Sequence, residues 1–250
     1  MTATDLLEHT DHRPYPLPDR PWALSMHWYD LLFMHWPVPP DALRDFIPDA
    51  LSVDTFEGEA WLGVVPFQMS QVRPRGLPSV PWLSRFPELN LRTYVKDADG
   101  KAGVWFFSLD AHNPVAVRLA RWSFSLPYFD ADMVCEADGD AVRYRSRRTH
   151  RGVPGARFEG TYQPTGAVLE HNEEIEHFLT ERYCLYSANR RGDVFRGDIH
   201  HQPWPLQPAE IDLTTNAMTE QIGVTLPDDE PLLHFSRKLE VVAWLPEKIT

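Results

Sequence analysis

Apolar, strand-like runs that succeed one another across tight turns restrict the fold of this chain more than any other feature. ELNLRTYVKDADGKAGVWFFSLDA holds two such runs about Asp97 to Gly100, SVDTFEGEAWLGVVPFQMSQV two about Glu57-Gly58, and DMVCEADGDAVRYRSRR two about Asp138-Gly139. Short Asp/Gly turns join antiparallel neighbours, whereas parallel neighbours need a long crossover, and no regular alternation of strand and helix is present. The pattern predicts an α+β fold, mainly antiparallel β, with the sheet curled into a β-barrel or half-barrel and a few short helices at its ends. Its interior is the natural place for a ligand.

The segment WALSMHWYDLLFMHWPV has few polar interruptions, as a strand covered on both faces requires, and Pro37, Pro39 and Pro40 end it. Short helices fit PPDALRDFIP, NPVAVRLARWSF with Asn113 as its cap, and HNEEIEHFLTERY with acidic residues at its start. HFSRKLEVVAWL reads as a closing strand. Residues 1–21 carry Pro14, Pro16, Pro18 and Pro21 and are expected to form an extended arm along a single β-rich domain, residues 22–250.

A formal charge of -12 opposes nucleic acid as a partner, because displacing counterions from phosphates needs a dense basic surface. Only Cys135 and Cys184 are present, without Cys-x-x-Cys spacing, so no disulfide framework or thiolate metal site is indicated and a reducing compartment fits. No basic leader or apolar run long enough to span a membrane occurs, and the expected location is cytoplasmic, without membrane contact. Signatures for nucleophile elbows, zinc, phosphate loops and dinucleotides are missing, so no cofactor is expected. Nor is a metal: His200 and His201 are adjacent, and neighbours on a strand point to opposite sides.

The densest polar stretch within apolar surroundings is Glu88, Asn90, Arg92 and Tyr94, which share one strand face, while Leu89, Leu91, Thr93 and Val95 take the other. On the next run Val104, Phe106, Ser108 and Asp110 share a face. An odd-length turn would set Asn90 opposite Ser108 and Glu88 near Asp110, and this register is expected because buried polar groups need partners. Glu88 would then serve as acid/base and Arg92 as anion partner, with Asn90, Tyr94, Ser108 and Asp110 contacting the ligand. A closed Glu88–Arg92 pair with no ligand is the rival reading.

HWPVPPDALRDFIPDALSVDTFEGEAWLGVVPF, ELNLRTYV, FFSLDA, LPYFDADM, TERYCLY and IHHQPWPL together resemble successive signatures of the YqjF-like bacterial family, a domain of unknown function (2071), from about Trp22 to Leu206. That family is in turn similar to the acetoacetate decarboxylase superfamily, which implies a decarboxylase-like barrel. Following the resemblance, Glu88 falls where the decarboxylase glutamate would lie, Tyr128-Phe129 after Pro127 where its lysine pair would lie, and Tyr29 near its arginine. Neither tyrosine nor phenylalanine can form a Schiff base, so that mechanism does not carry over. Of the four lysines, Lys96, Lys101, Lys238 and Lys248, only Lys238 in the closing strand is a rival.

Tyr128 and His35 complete the candidate ligand-binding set, each with a structural alternative: Tyr128 as a packed corner, His35 as the partner of a buried carbonyl. Arg143, Arg145 and Arg147 form a stripe that reads as an anion site or a solvated strand face. The expected function is a small-molecule-binding barrel, with an unidentified small molecule as its partner, acting as an enzyme on a carbonyl or enolisable acid without a Schiff-base lysine. A non-catalytic ligand-binding domain and a protein-interaction domain using PVPP and QPWPLQP are the alternatives, and the oligomeric state is left open.

Overall fold

The structure, a computed structural model, describes residues 3–79, 84–115, 118, 125–189 and 191–249. Its strands are β1 (Leu24–Val38), β2 (Ser52–Val53), β3 (Ala60–Pro74), β4 (Phe86–Lys96), β5 (Ala102–Ala111), β6 (Tyr128–Asp138), β7 (Ala141–Arg148), β8 (Arg157–Pro164), β9 (Cys184–Ala188), β10 (Val194–His200), β11 (Gln207–Asn216), β12 (Leu232–Ala243) and β13 (Glu247–Lys248). The helices are α1 (Ala3–Leu7), α2 (Asp41–Arg44) and α3 (Glu174–Thr180). Most of the helix expected over residues 113–124 lies outside the described residues.

Five strands, in the order β12-β1-β3-β4-β5, form a wall that belongs to two closed rings. Beyond β5 the sheet forks: β6 pairs with it in parallel at Leu109 to Ala111, and β9 pairs with it in parallel at Val104 and Trp105. The β6 branch runs through β7, β8 and β11 back to β12, closing nine strands into a mixed barrel. The β9 branch runs through β10 back to the other end of β12, closing seven. Both faces of the wall are thereby covered, which is why Leu31 to Trp36 of β1 are buried without a break.

Alternation along the wall assigns each side chain to one ring. Leu32, Met34, Leu62, Val64, Leu89 and Leu91 pack with Met133, Tyr144, Phe158 and Tyr162 of the nine-stranded ring. Phe33, Val65, Phe67 and Phe86 pack on the opposite face with Trp204 and Leu206.

Two local expectations are corrected. Glu57 (φ 52°) and Gly58 (φ 87°) do form a tight turn, but only Phe56 and Glu59 bridge across it, and β2 pairs with β4 at Ser52–Lys96 rather than with β3. The Asp54 N–H donating to the Tyr94 carbonyl (2.9 Å) draws this segment across. The Pro-rich arm begins with helix α1, whose buried Leu6 packs against Val242 and Trp244, while Arg13 Nη1 donates to the Ile199 carbonyl (2.8 Å).

Candidate functional site

β4 keeps strict alternation, so Glu88, Asn90, Arg92 and Tyr94 share the face turned to the seven-stranded ring and all are buried. The register places Phe67 beside Glu88, Val65 beside Asn90 and Gly63 beside Arg92, with His35 on the far side of Gly63. Gly63 makes room there: a Cβ would sit a tight 3.1 Å from His35 Nε2 and 3.2 Å from Arg92 Cγ. The absent side chain lets His35 and Arg92 approach across β3.

The expected cluster of Glu88 and Asn90 with Ser108 and Asp110 does not form. The turn 97–101 does pair Lys96 with Ala102 and Arg92 with Phe106, the expected register, but a bulge at Phe107 then sets Leu91 against Ser108 and Leu89 against Asp110. One extra residue turns the rest of β5 over. Ser108 and Asp110 consequently serve the other face, where Gln221 Nε2 donates to Ser108 Oγ (3.0 Å) and Arg148 grips Asp110 with Nε–Oδ1 at 2.7 Å and Nη2–Oδ2 at 3.1 Å.

Glu88 and Arg92 do not pair either. Four residues of strand separate them by about 13 Å, and among the described residues Arg92 has no carboxylate partner. Arg92 Nη2 donates to the Tyr94 hydroxyl and to the Leu179 carbonyl of α3, both at 3.2 Å, and its guanidinium lies 5.2 Å from the Phe33 ring centre. Glu88 instead accepts from the Tyr128 hydroxyl at 3.0 Å, so the two positions singled out by family resemblance do meet. Burial pushes the Glu88 carboxyl up to about 8 against the opposing effect of this hydrogen bond, and burial with the adjacent carboxyl pushes the Tyr128 phenol well up.

His35 bonds neither a carbonyl nor a carboxylate. Tyr94 spends its hydroxyl proton on the Leu179 carbonyl (2.7 Å), so His35 Nε2, 2.6 Å from the same oxygen, must donate. His35 Nδ1 is left as a bare acceptor, and burial, then the Arg92 charge, holds the ring neutral. His35 Nδ1, Asn90 Oδ1 and Arg92 Nε are buried without a hydrogen-bond partner among the described residues. Such orphans on one face mark a place where a ligand or ordered water belongs.

A cleft of about 580 Å³ opens at the fork, where β9 and β6 diverge from β5; Trp105, Phe106, Phe107, Pro127, Phe129 and Asn189 line it. It touches both chain neighbours of Tyr128, and Phe106 stands opposite Arg92 in the ladder.

The remaining candidates have other surroundings. Arg143, Arg145 and Arg147 are exposed along β7, with Arg147 3.5 Å from Asp132. Lys238 pairs with Glu240 at the surface, and Lys96, Lys101 and Lys248 pair with Asp54, Asp198 and Asp193, so each lysine is committed away from Glu88. His200 Nε2 donates to the Leu6 carbonyl and His201 to that of Gln202. Trp204 and Leu206 of QPWPLQP are buried, while Pro203 and Pro208 of the same segment are exposed. Among the described residues no group of three or more His, Cys, Asp or Glu can hold a metal ion, and no helix is long and apolar enough to cross a membrane.

Comparison with known proteins agrees with this architecture. The acetoacetate decarboxylase of Legionella pneumophila superposes with a TM-score of 0.63 at 11% identity, over 100% of this chain and 96% of that one. The enduracididine biosynthesis enzyme MppR, complexed with pyruvate, superposes with a TM-score of 0.63 at 11% identity, over 95% of this chain and 93% of that one. These likenesses show a shared fold. In sequence, the chain is 42% identical over 240 residues to the uncharacterized protein YqjF of Bacillus subtilis (strain 168), covering 96% of this chain and 98% of that protein. Residues 25–240 match DUF2071, described as an uncharacterized conserved protein, and the chain therefore belongs to the DUF2071 family, built on an acetoacetate decarboxylase-like barrel.

Proposed function

We propose that this protein binds an oxo acid long enough to reach from Arg92 towards Glu88 on the polar face of the seven-stranded ring and moves a proton at a carbon beside its carbonyl. Arg92 receives the carboxylate, and Glu88, backed by Tyr128, is the acid/base. The observation that carries this reading is the contrast between two buried groups on one strand face: a guanidinium without a counter-ion among the described residues and a carboxyl pushed up to about 8. A group that titrates near neutrality can both give and take a proton at working pH. Asn90 supplies an acceptor between the two poles and His35 one across β3 from Arg92, and Tyr94 fixes Arg92 and His35 at once.

No lysine lies within reach of Glu88, so the chemistry runs through proton transfer without a covalent imine. Pyruvate bound to a protein of this fold supports an oxo acid as the ligand class. The experiment is proton exchange: in a panel of oxo acids of increasing chain length in D2O, followed by NMR, at least one loses the signal of the protons beside its carbonyl faster with the protein than without it, and Glu88→Gln removes the acceleration. Exchange at the uncatalysed rate across the whole panel refutes the proposal.

A further inference from the structure

The same face has a second pole that proton transfer at Glu88 does not use. His234 lies opposite Phe33 and His35 opposite Leu232, so the two imidazoles are diagonal neighbours on β12 and β1, about 7–8 Å apart at the backbone. Helix α3 delivers Glu176 to His234, with Nε2 3.2 Å from Glu176 Oε1. A carboxylate only accepts, so His234 donates from Nε2 and its Nδ1 is bare, as His35 Nδ1 is.

His35 Nδ1, His234 Nδ1 and Glu176 Oε2 have no hydrogen-bond partner among the described residues, although these residues are only 0%, 5% and 7% exposed. Glu176 has no Lys or Arg partner among those residues, its ion-pair contact being His234 alone. Burial pushes the His234 ring towards its neutral form, so the carboxylate lacks a full counter-charge. Two acceptors and an uncompensated carboxylate thus stand on the β1–β12–α3 side, and an uncompensated guanidinium stands on β4.

We infer that the ligand is zwitterionic: an amino-substituted oxo acid whose carboxylate meets Arg92 and whose protonated amine meets Glu176, His234 and His35. This rests on the reading of Arg92 and Glu88 above. An ammonium brings three donors and no acceptor, which complements two bare imidazole nitrogens and a carboxylate oxygen. A hydroxyl would satisfy one imidazole and leave Glu176 without a counter-charge.

Levulinate and 5-aminolevulinate differ by one amino group and separate the two poles by calorimetry at neutral pH. The amine is expected to strengthen binding about tenfold or more, as burying a matched charge pair does. Glu176→Gln collapses that ratio to near one by weakening 5-aminolevulinate more than levulinate, and Glu176→Asp, which keeps the charge, retains part of it. Equal affinities for the two compounds in the unmodified protein, or an equal loss for both in Glu176→Gln, overturn the inference. Levulinate binding that is lost in Arg92→Met, without preference for the amine, refutes only the zwitterion and leaves the proposed function standing. Binding of neither compound refutes both.

Discussion

Arg148 and Arg92 are both buried guanidinium groups meeting the β4–β5 hairpin, one from each side, and their surroundings are opposite. Arg148 sits in a filled site: two bonds to Asp110, Nη1 bonds to the Pro154 carbonyl (3.1 Å) and Gln221 (2.9 Å), and the Phe129 ring 4.3 Å away. Arg92 has a hydroxyl, a carbonyl and the rings of Phe33 and Tyr94, with Nε idle and no carboxylate among the described residues. The first arrangement is complete without a ligand and ties β7 to β5 within the nine-stranded ring. The second leaves charge and hydrogen-bonding capacity unspent in a buried place, which a protein tolerates where something binds.

The largest test of that difference is Arg148→Met. It strands Asp110 as a buried charge and is expected to cost about 3–5 kcal/mol in urea denaturation. A loss under 1 kcal/mol would mean that the two arginines are equivalent.

Glu88→Gln should act in the opposite direction, increasingly so as pH rises above about 4.5. The folded-state pKa of about 8 exceeds the ordinary 4.5, so between these values the native state holds a proton that the unfolded state has lost. Stability therefore falls as pH rises from about 4.5 to about 8 and is level above. Removing the group removes that slope, and the variant should exceed the unmodified protein by roughly 2–4 kcal/mol at pH 9 and by little at pH 5. Parallel stability–pH curves for the two proteins would contradict a protonated Glu88.

Gly63→Ala is expected to cost roughly 1–3 kcal/mol as overpacking between His35 and Arg92. It should also weaken oxo-acid binding more than Leu62→Val, a change that faces the other ring. Equal effects on binding would dissociate the two faces from their assigned roles.

Arg92→Met should shift folding stability least, by under about 1 kcal/mol, because no buried carboxylate is stranded by its removal. Ligand affinity is expected to fall about a hundredfold or more, since a buried anion loses its cationic partner. Thermal melts with and without pyruvate separate the two quantities.

Much of the wall was legible along the chain. The apolar–polar alternation of β4 predicts which residues share its face, and the unbroken apolar run of β1 predicts burial on both sides. The family resemblance brought Glu88 and Tyr128 forward as matching positions, and they touch, although 40 residues separate them. His234, Glu176 and Gly63 carried no such mark. A histidine in a closing strand, an acidic residue in a short helix and a glycine in a strand are each ordinary, and they matter only through what lies opposite them.

Local pattern determined the strands, the tight turns and the division of β4 into two faces, because side-chain alternation and turn conformations are properties of a few consecutive residues. The tertiary structure decided which polar groups meet. A single bulge at Phe107 turned Ser108 and Asp110 away from Glu88, and the fork at β5 placed the two faces in different rings. Both depend on contacts between strands far apart in the chain, and a register that can change by one residue is invisible to any short stretch of sequence.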